Sequence, residues 1–145
     1  MLRINIKVYE DIVSHAWQGF PIEVCGILGG SGDIVTESHR VRNLKASPEH
    51  FLMDPREQIA AMESLDARGL ELLAFYHSHP LGPASPSAED IRLAFYPDVI
   101  TVIISMANPD CPILRAFRIR DLAAQETDLV IIPCGGKITP YLSKK

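Results

Sequence analysis

Phe75-Tyr76-His77-Ser78-His79-Pro80-Leu81-Gly82-Pro83-Ala84-Ser85-Pro86-Ser87-Ala88-Glu89-Asp90 closes an apolar run that begins at Leu70. The run reads as a buried strand. Alternate residues of a strand face the same side, so His77 and His79 aim at one point while Ser78 points away. The segment from Pro80 to Pro86 carries three prolines and a glycine and must be a loop. Ser87-Ala88-Glu89-Asp90 then opens a helical pattern continued by Ile91, Leu93, Ala94 and Phe95. Two imidazoles at a strand end and one carboxylate in the next helical turn can therefore meet. Three N/O ligands with a fourth position open is the layout of a catalytic zinc site. Ser87-x-x-Asp90 is also a capping box, which needs no metal, and paired histidines can be plain core residues.

Outward from this stretch, the chain alternates strand and helix signals. Ile4, Ile6 and Val8 alternate with polar residues as an opening strand. Ile12, Val13, Ala16, Trp17 and Phe20 share a helical face, with Trp17 expected in the core and His15 on the polar side. Pro21 to Gly30 reads as a strand, Gly30-Ser31-Gly32-Asp33 as a turn, and Ile34 to His39 as the returning strand. Glu23 is out of place between Ile22 and Val24: either it sits at an exposed edge or it faces the cavity of the histidines. Residues from Val41 to Phe51 suggest a loop or short strand, with His50 at the surface. Asp54-Pro55-Arg56-Glu57 is a helix start in which Asp54 caps and Glu57 completes the box. Ile59, Met62 and Leu65 give its buried stripe, and Gly69 ends it. Val99 to Ile104 is a strand buried on both faces. Ile113 to Ile119 and Leu129 to Ile132 add two more. The sum is a mixed α/β (α+β) domain of about six to seven strands flanked by about three helices.

The bulk numbers exclude several classes. A chain of 145 residues can bury one real core, and residues 1–145 read as a single domain with a frayed tail from 135 to 145. The net charge of −4 and the absence of a basic block argue against nucleic acid. No signal-peptide core and no membrane-length run is visible, so a cytoplasmic protein with no membrane partner is expected. Cys25, Cys111 and Cys134 make no CxxC pair and read as reduced, with Cys111 and Cys134 buried or half-buried. Cys134-Gly135-Gly136 reads as a turn.

If His77, His79 and Asp90 hold Zn²⁺, the water at the open position has its pKa lowered to about 7. A separate base must take its proton, and Glu23, on a different strand, is the best placed of the glutamates. The Ser87 hydroxyl can donate to the oxyanion of a tetrahedral intermediate. Such an assembly hydrolyses amides.

Glu23, His77-Ser78-His79-Pro80, Ser87 and Asp90 together resemble the JAMM (MPN-plus, Mov34/PAD-1) metalloproteases of short prokaryotic type, in identity and in spacing. The likeness runs from about residue 4 to residue 120 and includes the Glu-Val-Cys-Gly context of Glu23. It implies a cytidine-deaminase-like fold, one Zn²⁺ on His77, His79 and Asp90, Glu23 as acid/base and Ser87 at the oxyanion. It also implies cleavage of peptide or isopeptide bonds after the Gly-Gly terminus of a ubiquitin-like or sulfur-carrier protein. The compact sequence after Asp90 favours a small carrier over ubiquitin chains. A diglycine tail can lie close to strand edges because glycine has no side chain to clash, and it is expected to pair as an added strand near Ser85 to Ser87.

Three rivals differ in what they require. A zinc deaminase needs His-x-Glu and Pro-Cys-x-x-Cys, both missing here. A thiol protease would have to use Cys25, which lies in an apolar strand. A non-catalytic MPN scaffold would have lost ligands, whereas all five positions are filled. Monomer and homodimer are equally compatible with the sequence.

Overall fold

The computed structural model describes residues 1–133 and the backbone of 141–142. The elements are β1 (Leu2–Asn5), α1 (Ile6–Gly19), β2 (Cys25–Ser31), β3 (Ile34–Val41), α2 (Pro55–Ala67), β4 (Glu71–His79), α3 (Ala88–Arg92), β5 (Ile100–Ser105), β6 (Ile113–Arg120), β7 (Ala123–Thr127), β8 (Leu129–Ile132) and β9 (Tyr141–Leu142). They form one mixed sheet in the order β7-β6-β5-β4-β2-β3-β1-β8-β9. Pairs β1/β3, β1/β8 and β4/β5 are parallel and the rest antiparallel.

The two faces of the sheet carry different cores. On one, α1 lays Val8, Ile12 and Ala16 over Leu28, Val35, Ala74, Tyr76, Val102 and Ile104. On the other, α2 covers Cys25, Ile27 and Val41 with Ala61 and Leu65. Beyond it, α3 and the residues after it bring Ile91 and Ala94 against Ala84, Ile103, Phe117 and Ile119. Strand β4 serves both sides: Ala74 and Tyr76 belong to the α1 core, and Phe75 packs with the α2 core. Gly26 stands opposite Tyr76 in the ladder. A Cβ there would fall 2.2 Å from the Tyr76 ring and 2.5 Å from the His39 carbonyl, so only glycine lets the tyrosine lie across β2.

Several expectations are corrected. Among the described residues the sheet has nine strands rather than about six or seven. The opening strand stops at Asn5, whose Oδ1 accepts the Lys7 N–H at 3.0 Å, and Ile6 and Val8 already belong to α1. Trp17 is 47% exposed, because the buried stripe at Val8, Ile12 and Ala16 follows an i, i+4 row that leaves Trp17 one residue past it. His15 is half-buried and bonded to Tyr76 rather than solvated. In α2, Ile59 is exposed and Ala61 takes its place. Asp54 caps as expected, but Glu57 does not close the box: its carboxylate accepts the Arg42 N–H at 3.0 Å. The strand expected from Pro21 begins only at Cys25, and the helical run expected through Phe95 ends at Arg92. Cys111 is exposed in the turn before β6. Cys134 and its glycines lie outside the described residues, as does the tail except for Tyr141–Leu142, which pairs with β8.

Candidate metal centre and active site

The C-terminal end of β4 places His77 and His79 on the face covered by α2 and α3. His77 is 2% exposed, with the Phe51 ring stacked on it at a centroid distance of 4.4 Å and an interplanar angle of 24°. Ser87 caps α3 by accepting the Asp90 N–H at 3.0 Å, and Asp90 Oδ2 accepts the Ser87 N–H at 2.9 Å. That reciprocal box fixes the carboxylate, and the same oxygen faces both histidines. His77 Nε2 to His79 Nε2 is 3.1 Å, His77 Nε2 to Asp90 Oδ2 is 3.2 Å, and His79 Nε2 to Asp90 Oδ2 is 3.1 Å.

These three atoms fit a metal better than they fit one another. Tetrahedral ligands at the usual Zn–N and Zn–O distances stand about 3.3 Å apart, close to each edge of this triangle. The tautomer agrees. His79 Nδ1 lies 2.8 Å from the Pro83 carbonyl, which can only accept, so Nδ1 carries the proton. In neutral His79 the Nε2 lone pair then points at a carboxylate oxygen and at a second imidazole nitrogen. A ring N–H given to a backbone carbonyl is also the usual outer support of a metal-binding histidine.

Glu23 comes from the other side, two residues before β2. It is 4% exposed, and its carboxylate oxygen and the two imidazole nitrogens all lie within 4.8 Å of one another. Glu23 could thus be grouped with the histidines as a ligand itself. Asp90 Oδ2, at 3.1–3.2 Å from both imidazole nitrogens, is equally a candidate third ligand, in which case Glu23 stands beside the centre.

Electrostatics follow this layout. Burial pushes the Glu23 carboxyl up to about 8; the neighbouring His79 opposes this, and Asp90, Glu89 and Glu49 reinforce it. Burial also opposes ionisation of Asp90, but bonds with His77, His79 and the Ser87 N–H outweigh it and hold the carboxyl well below its usual range. His77 is pushed down by burial. For His79 burial pulls the same way but is outweighed by Asp90 and the Pro83 carbonyl, so it moves up. Cys25 is buried in β2 and pushed up to about 12 by burial and nearby carboxylates, which removes it as a nucleophile near neutrality.

Sequence reasoning placed Glu23, His77, His79, Ser87 and Asp90 together, and the structure brings all five to one end of β4. It missed what surrounds them. An apolar cleft of about 350 Å³, lined by Phe51, Met53, Phe75, Leu93, Phe95 and Tyr96, opens onto His77 and Asp90. Phe95, one of the lining residues, is 74% exposed. Phe51 and Tyr96 come from segments with no regular period, so their only signal was aromatic residues in loops flanking the motif.

The comparisons with known proteins agree. A family model described as prokaryotic homologs of the JAB domain matches residues 6–120. Over 111 residues the chain is 38% identical to a desampylase of Haloferax volcanii, spanning 72% of this chain and 80% of that protein. Over 134 residues it is 31% identical to the CysO-cysteine peptidase of Mycobacterium tuberculosis, spanning 91% and 92%. The solution structure of a protein from Desulfitobacterium hafniense superposes with a TM-score of 0.84 at 42% identity, covering 92% of this chain and 94% of that one. The chain belongs to the family of prokaryotic JAB-domain proteins.

Proposed function

We propose that this protein is a zinc-dependent peptidase that hydrolyses the peptide or isopeptide bond following the C-terminal Gly-Gly of a ubiquitin-like or sulfur-carrier protein. One observation carries the reading: a buried carboxylate, Glu23, faces two imidazoles and Asp90 without belonging to their 3.1–3.2 Å triangle. A structural cluster has no use for this fourth group. A hydrolase needs it as a base distinct from the ligands. The names of the relatives, a desampylase and a CysO-cysteine peptidase, support the substrate class.

His77, His79 and Asp90 would hold Zn²⁺, which supplies a Lewis acid and brings the pKa of a coordinated water to about 7. Glu23 accepts the proton of the attacking water and returns it to the leaving amine. Its raised pKa would be lowered by a cation held on the two imidazoles and Asp90, so that it could accept that proton. Ser87 Oγ already accepts the Asp90 N–H, so its own proton is free to donate to the oxyanion. His79 is held in one tautomer by Pro83. The apolar cleft, which opens onto His77 and Asp90, would take apolar side chains of the carrier tail.

The test is incubation of the zinc-loaded protein with sulfur-carrier fusions ending in Gly-Gly-Cys, with mass spectrometry of the fragments. Cleavage after the second glycine is expected. A carrier with its penultimate glycine changed to valine should resist cleavage; equal turnover of that variant would defeat the idea of a threaded, glycine-only passage.

A further inference from the structure

Glu23 lies outside the hydrogen-bonded ladder, since β2 begins at Cys25. Its backbone is fixed by other means. The Glu23 N–H donates to the Ser47 carbonyl at 2.9 Å, and the Glu23 carbonyl accepts from Asn43 Nδ2 at 2.9 Å. The next residue, Val24, donates its N–H to Ser78 Oγ at 2.9 Å and accepts the Ser78 N–H on its carbonyl at 2.9 Å. Both supports of Glu23 itself therefore come from the segment following β3.

Asn43 is the hub of that segment. Its Nδ2 also donates to the His50 carbonyl at 3.1 Å, and its Oδ1 accepts the N–H of Lys45 at 3.0 Å and of Leu52 at 2.9 Å. Both donors and both lone pairs of one amide are thus used. One side chain closes the loop from 44 to 52 at both ends and clamps it to the Glu23 carbonyl. The same loop carries Phe51, which lies on the His77 ring.

We infer that Asn43 is a positioning residue for hydrolysis, setting where the Glu23 carboxylate stands relative to His77, His79 and Asp90. The inference rests on the reading of Glu23 as acid/base. Its physical basis is leverage. The glutamate's own N–H and carbonyl are held by Ser47 and Asn43 rather than by a neighbouring strand, so its tip moves with the clamp. A misplacement of about 1 Å in a reacting group can cost about a hundredfold in rate. Ser78 continues to hold Val24 when the amide is removed, so the strand end stays attached while Glu23 loosens.

The experiment measures kcat, KM, zinc content and melting temperature of Asn43→Ala on the Gly-Gly-Cys carrier fusion. Ser47→Ala serves as control: it removes the Ser47 Oγ bond to the Glu49 N–H in the same loop and leaves the Ser47 carbonyl for Glu23. Asn43→Ala is expected to lower kcat about 10- to 100-fold with KM little changed and zinc at full stoichiometry. Ser47→Ala should keep kcat near that of the parent. Asn43→Ser is read in the same way if the alanine variant does not fold. The inference is overturned by any of three results: kcat within about twofold of the parent, a rise in KM alone, or activity lost in proportion to zinc. It also falls if Ser47→Ala loses as much. A parallel Glu23→Ala arm separates the two readings. If Glu23→Ala keeps turnover, the acid/base assignment fails. If Glu23→Ala is inactive while Asn43→Ala is not, only the role of Asn43 fails.

Discussion

Strand β4 presents a buried polar side chain on each of its faces, and the two solve opposite problems. Toward α1, Tyr76 Oη meets His15 Nδ1 at 2.6 Å, a hydroxyl against a ring nitrogen, one donor for one acceptor. Toward α2 and α3, His77 and His79 meet Asp90, and lone pairs outnumber protons. The first pair is self-sufficient and can be sealed under a helix. The second has the donor set of a site that could hold a metal ion. Burial of a histidine therefore says little; what its partners can donate decides whether it is structure or site.

This contrast can be broken most directly at the metal face. His77→Ala or Asp90→Ala should abolish both zinc binding and hydrolysis, whereas Glu23→Ala should keep zinc, measured by atomic absorption, and lose about 10²- to 10⁴-fold in rate. Full activity in a metal-free His77→Ala protein would end the comparison. Next in size is chelation. EDTA should silence the parent enzyme, and added Zn²⁺ should restore it; a thiol enzyme built on Cys25 would survive the treatment.

On the other face the effects are on stability. Tyr76→Phe leaves the His15 nitrogen buried without its partner and should cost about 1–3 kcal/mol in urea melts, with hydrolysis otherwise intact. Burial, assisted by Arg40, holds the His15 pKa down to about 4 from 6.5. The folded form therefore resists a proton that the unfolded chain accepts. Stability is unaffected above about pH 6.5, falls as pH drops toward about 4, and loses nothing more from this group below that. In His15→Asn that slope should flatten, because no imidazole remains to titrate. The smallest effect belongs to Trp17→Ala: at 47% exposure the change should stay within about 1 kcal/mol. A larger loss would place the indole back in the core.

The metal face was the more legible of the two because it depends on local geometry. Two residues apart on a strand share a side whatever the tertiary context, and Ser87-x-x-Asp90 fixes a carboxylate at a helix start by hydrogen bonds within one turn. Glu23 was legible as an anomaly, an acid in an apolar run. What escaped depends on distant partners. Strand β7, Ala-Ala-Gln-Glu-Thr, is mostly exposed and has no alternation of its own. It exists because Asp121 and Leu122 adopt positive φ and fold it back on β6, and leucine gives no warning of such a turn. His15 read as polar because its partner is 61 residues away. Asn43 read as a loop residue because its four bonds depend on where the loop returns.

Asp90 Oδ2 has two roles: it accepts the Ser87 N–H that starts α3, and it faces both imidazoles. The helix it starts is five residues long, too short to persist without its cap, and it leads straight into Leu93, Phe95 and Tyr96 of the apolar cleft. An ion bound at this oxygen would thus be coupled, through the start of α3, to the wall of the apolar cleft. A chelator would blunt recognition as well as chemistry, so the empty protein and the loaded one should differ in which tails they hold before any bond is cut.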